Sequence, residues 1–72
     1  VDAVEAGRLR PKDHILVKKS AWSDCVIRPQ EDVPCSITYL NEIGQFHVFP
    51  LDVHSLLQPK YISMSEILRR IP

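Results

Sequence analysis

Glycine is scarce in this chain: Gly7 and Gly44 are the two among 72 residues. That scarcity removes the phosphate-cradling loops and the Gly-x-Ser-x-Gly elbow, which need several glycines close together so that backbone can approach a ligand or turn sharply. Cysteine is equally rare, and Cys25 and Cys35 are too few to staple a secreted disulfide scaffold. They read as free thiols of a reducing compartment, so an intracellular, cytoplasmic location is expected. No apolar run approaches the ~20 residues that cross a bilayer, and no signal-peptide stretch opens the sequence. Neither sign of charge dominates, since 9 Lys and Arg balance 9 Asp and Glu. Binding to a phosphate backbone needs clustered cations, and the pairs Lys18-Lys19 and Arg69-Arg70 are small groups. Neither nucleic acid nor membrane is an expected partner.

A chain of this length makes at most one domain, and so small a domain buries only about 60% of its unfolded surface. A deep catalytic cleft is not expected. The start at Val1 without a methionine, and the end at Pro72 directly after a helical pattern, point to a fragment of a longer protein.

What the chain does have is a set of short patterns punctuated by 6 prolines. Asp2 to Ala6 suits one helical turn closed by Gly7 in a left-handed conformation, and Pro11 forbids its continuation. Pro11-Lys12-Asp13 suits a type I turn feeding the strand run Ile15, Leu16, Val17. "AWSDCVIR" supplies a second short strand, with Trp22, Asp24 and Val26 on one face and Ser23, Cys25 and Ile27 on the other, ended by Pro29. From Val33 the alternation is cleaner. Val33, Cys35, Ile37 and Tyr39 share one face, while Ser36, Thr38 and Leu40 share the opposite one. "NEIG" is a hairpin loop in which Asn41 and Gly44 tolerate positive φ, and "QFHVF" returns with Phe46 and Val48 facing away from His47 and Phe49.

Beyond Pro50, Asp52 suits the cap of a single turn, "VHSLLQ", that Pro59 stops. Ser63 and Glu66 form a capping box that opens a helix through Ile71, with Ile67, Leu68 and Ile71 on one stripe and Arg69 and Arg70 near its negative end. The expected architecture is therefore mainly β, or α+β: a small bent antiparallel sheet or partial barrel with one C-terminal helix. Residues 1–12 form an N-terminal arm, 13–50 a β-rich core, and 51–72 a loop and the C-terminal helix.

Cys25, Cys35, His47 and His54 are the residue types of a zinc site. Their separations of ten, twelve and seven residues give no knuckle with two ligands on one tight turn, so neither a metal nor another cofactor is expected. Cys25 or Cys35 with His47 would make a reactive thiol, because a neighbouring imidazole favours the thiolate, yet no oxyanion motif accompanies the pair. No catalytic residue is assigned on that basis. A disulfide between Cys25 and Cys35 is the remaining covalent reading, limited by compartment. Trp22, Tyr39, Phe49 and Tyr61 are candidate contact residues for a proline-rich or extended peptide, against the demand of a small core for aromatic filling.

The stretch "DCVIRPQEDVPCSITYLNEIGQF", followed by "KYISMSEILRRIP", resembles over about half of the chain the core of the CABIT domain, the cysteine-containing β module of THEMIS-like and GAREM-like signalling adaptors. Carried across, Cys25 stands for the family cysteine, Val33-Pro34 for its Leu-Pro step and Cys35 for the apolar position that follows. Gly44 and Phe46 stand for the Gly-x-Phe, with Tyr61 and the helix from Met64 as the tail. Ser23 departs from an apolar position, Val33 replaces leucine, the spacer from Cys35 to Gly44 is longer, and "PLDVHSLLQP" is inserted before Tyr61. The resemblance implies a non-enzymatic β-barrel module of tyrosine-kinase signalling, with adaptor and phosphatase partners.

The residues by themselves point to an interaction module that receives another protein or peptide on an edge strand or an aromatic face. Two other classes stay open: an enzyme subdomain lending a Cys/His pair to a site completed elsewhere, and a subunit of a stable assembly.

Overall fold

A computed structural model describes residues 1–51 and 56–72. Five strands form one antiparallel sheet: β1 His14–Val17, β2 Val33–Leu40, β3 Phe46–Pro50, β4 Lys60–Ile62 and β5 Ile67–Ile71, in the order β4-β3-β2-β1-β5. A one-turn helix, α1 Ala3–Gly7, precedes them, and 3₁₀ turns cover Lys19–Trp22 and Met64–Glu66. The mainly β expectation holds, as does the bent sheet.

The bend follows from chain connectivity. β4 and β5 lie at opposite ends of the strand order, yet only residues 63–66 join them. Flat strands spaced ~4.8 Å apart would put those edges about 19 Å from each other. A connection that is mostly one 3₁₀ turn rises only about 2 Å per residue and falls far short of that distance. The sheet must therefore curl until its two edges approach, making a partly open barrel.

The C-terminal helix is absent: residues 67–71 are strand β5, paired with β1 through His14↔Ile71, Ile15↔Arg70 and Leu16↔Arg69. The capping signal is nonetheless satisfied. The Ser63 backbone N–H donates to Glu66 Oε1 at 3.3 Å, and the Glu66 N–H donates to the Ser63 carbonyl at 3.0 Å. That turn stops after three residues because the chain has reached the open side of β1, where a strand gains a full ladder of hydrogen bonds that an exposed two-turn helix lacks. Ile67 is then buried, while Leu68, Arg69 and Arg70 are exposed on the strand. Neither arginine stands at a helix end.

A second correction concerns "AWSDCVIR". Ala21 and Trp22 end a 3₁₀ turn, and residues 23–27 run as turns and bends. Trp22 is held instead by its indole, which donates from Nε1 to the Gln58 carbonyl at 3.1 Å, and by full burial. The Lys19 N–H donates to the Asp32 carboxylate at 3.0 Å and closes the loop that carries it.

Smaller differences lie in the N-terminal arm. Asp2 caps α1 by accepting from the Glu5 N–H at 2.9 Å, as its position suggests, but Gly7 has no positive φ. The left-handed residue is Lys12, at φ 77. With Pro11 before it and Asp13 N–H donating to the Arg10 carbonyl at 3.1 Å, the turn is of type II and not type I. The hairpin loop keeps its expected form. Gly44 takes φ 85, and Asn41 Oδ1 accepts from the N–H groups of Ile43 and Gln45 at 3.2 and 2.8 Å. The turn proposed for Asp52 falls largely outside the described residues.

The concave face holds the core. Ile15, Val17, Val33, Cys35, Ile37, Phe46, Val48, Ile62 and Ile67 line it, and Trp22, Ala21, Leu57 and Leu9 close it from the loops and arm.

Candidate functional site

The convex face of the barrel carries an aromatic cluster, and a single irregularity in β2 creates it. Val33, Cys35 and Ile37 alternate into the core, so Tyr39 should follow them. The pairing with β3 shifts between Ile37 and Tyr39, where Ile37 opposes Val48 and Tyr39 opposes His47. Thr38 is thus an extra residue, a β-bulge, and everything beyond it changes face. Tyr39 emerges beside His47, which in turn opposes Tyr61 of β4.

The three rings form one continuous array across three strands. Tyr39 stacks on His47 with centroids 5.1 Å apart and planes at 15°. His47 meets Tyr61 edge to face at 4.9 Å, and Tyr39 meets Tyr61 at 5.9 Å and 78°. These separations are those at which aromatic pairs attract beyond their simple burial. The two phenol hydroxyls are hydrogen-bonded to each other. That bond holds the Tyr39 hydroxyl above its ordinary pKa, the nearby Tyr61 phenol opposing the charge as well. Phe49, two residues from His47 on the same face of β3, extends the surface towards Ser36.

The cluster is solvent-facing. Tyr39 is 41% exposed, Tyr61 44% and Phe49 54%. Beside it, Tyr39, Leu40 and Ile43 line a shallow depression at the hairpin tip together with Asn41 and Glu42. His47 is half-buried with its Nδ1 shielded from solvent, so it offers a ligand its ring rather than that nitrogen.

Of the contact residues expected from sequence, Tyr39, Phe49 and Tyr61 therefore share one face, and Trp22 does not join them, being wholly buried in the core. His47 belongs to the aromatic face, a place that its reading as a thiol partner did not give it. Leu40 and Ile43 were missed as well. The Thr38 bulge that exposes Tyr39 leaves no mark in the apolar alternation; the exposure of Ile43 is implicit in its position within the "NEIG" loop.

The two cysteines stand apart from this face. Cys35 is fully buried on the concave side, opposite to His47, and burial pushes its thiol up to about 12. Its Sγ lies 3.6 Å from the Val33 carbonyl. Cys25 is half-buried in the loop after Trp22, its Sγ 3.7 Å from an Asp24 carboxylate oxygen. Asp24 is itself held below its ordinary pKa, first by a backbone hydrogen bond and then by the Lys60 ammonium 3.5 Å away. Both thiols are free. Among the described residues no group of three metal-ligating side chains converges, and His54 lies outside them. No described helix is long and apolar enough to cross a membrane.

Comparison with protein-family models, with curated proteins and with solved structures finds no match to this chain.

Proposed function

We propose that this protein is a non-enzymatic interaction module whose convex aromatic face receives an extended, proline-rich segment of a partner protein. The observation that carries the reading is the contiguous exposed array of Tyr39, His47, Tyr61 and Phe49 on the side of the sheet opposite to the core. Core demand does not explain aromatics placed there. Their ring faces suit pyrrolidine rings, and the one phenol O–H left over from the Tyr39–Tyr61 bond suits a free carbonyl of a polyproline helix, which has no internal hydrogen bonds. An intracellular setting suits two free thiols.

The size of the face favours a peptide over a second folded domain. With roughly 200 Å² per aromatic side chain, the three exposed rings present on the order of 300 Å², against about 800 Å² per partner in a stable protein complex. A short segment fits that area. The enzyme reading has little support, because Cys35 and His47 point to opposite faces and the buried thiol stays protonated near neutral pH.

The test is an amide NMR titration with an oligoproline peptide, using a Gly-Ser peptide of equal length as control. Shifts confined to Tyr39, His47, Phe49 and Tyr61, and lost in Tyr61→Ala and Phe49→Ala variants that stay folded, are expected. Equal response to both peptides, or none, would sink the proposal.

A further inference from the structure

The opposite edge of the sheet has a different chemistry. β5 is the last strand of the order beside β1, and the Val1 nitrogen donates to the Ile67 carbonyl at 2.6 Å, engaging only the first residue of that strand. Among the described residues, no backbone bond from outside the ladder reaches residues 68–71. These groups are a ready template for one more strand.

Cations outnumber carboxylates around this edge. Arg69 and Arg70 are adjacent, so they project to opposite faces of the sheet. Arg70 keeps a side-chain exposure of 63% despite its 3.7 Å contact with Asp13, and Arg69 has no ion pair among the described residues. Lys18 and Lys19, both exposed, stand at the start of β5, where the Lys18 N–H donates to the Glu66 carbonyl at 2.9 Å. Arg8 lines a notch with Arg70, Val1, Leu9 and Glu5. The Glu66 carboxylate is turned back onto Ser63 and leaves Glu5 and Asp13 as the acidic neighbours. Five cations thus stand around β5, Arg69 and Arg70 on the strand itself, against the two carboxylates Glu5 and Asp13.

A second copy is a poor occupant. In-register antiparallel pairing of β5 with itself sets Arg69 directly opposite Arg69, and like charges so placed repel. We infer that the β5 edge docks an acidic extended segment of a partner protein as a sixth strand. Two adjacent carboxylates of that segment meet Arg69 and Arg70, one on each face, and apolar flanks lie beside Leu68 and Ile71. This surface is separate from the aromatic face and does not depend on it.

The probe is a short peptide with a central Val-Glu-Glu-Val, compared with the same peptide carrying Val-Lys-Lys-Val. NMR of the labelled protein is expected to show shifts and slowed amide exchange along residues 67–71 with the acidic peptide alone. Affinity should fall about tenfold or more, ~1.4 kcal/mol, as salt rises to ~1 M, where screening acts within about 3 Å. Arg69→Glu should lose the acidic peptide and gain the basic one, with the Trp22 indole resonance reporting that the variant is folded. If that variant does not fold, the salt series decides. Equal binding of the two peptides, binding of neither, or shifts confined to Tyr39 and Tyr61 overturns the inference and leaves the arginines as guards against edge-to-edge aggregation.

Discussion

Tyr39 and His47 stack across the β2–β3 ladder with centroids 5.1 Å apart, although alternation from Val33 assigns Tyr39 to the core. One inserted residue, Thr38, makes the difference. Deleting Thr38 should remove the bulge and leave Ile37 opposite Val48 and Tyr39 opposite His47, so that simple alternation after buried Ile37 keeps the phenol on the convex face. The deletion variant is expected to keep the ring contacts between residues 39, 47 and 61 and to stay within ~3 kcal/mol of the parent in urea denaturation. A folded deletion variant that lost those contacts would show that Thr38 is not the extra residue that sets the face.

The hydroxyl pair gives a second test. Tyr39 ionises above its ordinary pKa because its O–H is hydrogen-bonded to Tyr61 and because two phenolates side by side would repel. Replacement Tyr61→Phe removes both of these and leaves only the desolvation of the Tyr39 hydroxyl. Ultraviolet titration should then show Tyr39 ionising at lower pH than in the parent protein, with the fold intact. No change on substitution would mean that the hydroxyls do not meet in solution.

How much of this was legible in the sequence depends on whether the cause was local. The β2–β3 hairpin was readable because apolar alternation, Asn41 and Gly44 all act within a few residues, and the single helical turn near the N-terminus was readable for the same reason. The helix expected from Ser63 failed on a non-local cause. Its capping box formed, but the open side of β1 claimed Ile67–Ile71 as a strand. Trp22 misled similarly, since its alternation with Asp24 and Val26 suggested a strand, whereas its place is set by the Gln58 carbonyl 36 positions away. The aromatic face was half legible: Tyr39, Phe49 and Tyr61 were named, but their common side with His47 depended on a bulge that no pattern announces.

Trp22 is the largest wholly buried side chain, and it ties the loop before β2 to the approach to β4. Trp22→Ala is expected to cost ~3–5 kcal/mol, a large part of what so small a domain possesses. Trp22→Phe keeps most of the packing and leaves the Gln58 carbonyl without its donor, so a loss of about 1–3 kcal/mol is expected. Denaturation midpoints of the two variants check this order. If Trp22→Phe proved as damaging as Trp22→Ala, ring volume would not be what the site requires.

Cys35 makes stability fall on the alkaline side. Its thiol rises from 9.0 in ordinary surroundings to about 12 in the folded chain because burial disfavours the thiolate. Below pH ~9 the folded and unfolded states both hold the proton and the group adds no pH dependence. Between about 9 and 12 the unfolded state has released its proton while the folded state retains it. Unfolding is then favoured by rising pH, with a limiting slope of about 1.4 kcal/mol per pH unit. Cys35→Ala should be less stable at neutral pH, by roughly 1 kcal/mol or more for the cavity, but should lose less stability across the alkaline window. Native-state labelling should follow the same logic, with half-buried Cys25 modified first and Cys35 only on unfolding. Rapid labelling of Cys35 at neutral pH, or alkaline curves of equal slope for Cys35→Ala and the parent, would show that the thiol is not sealed in the core.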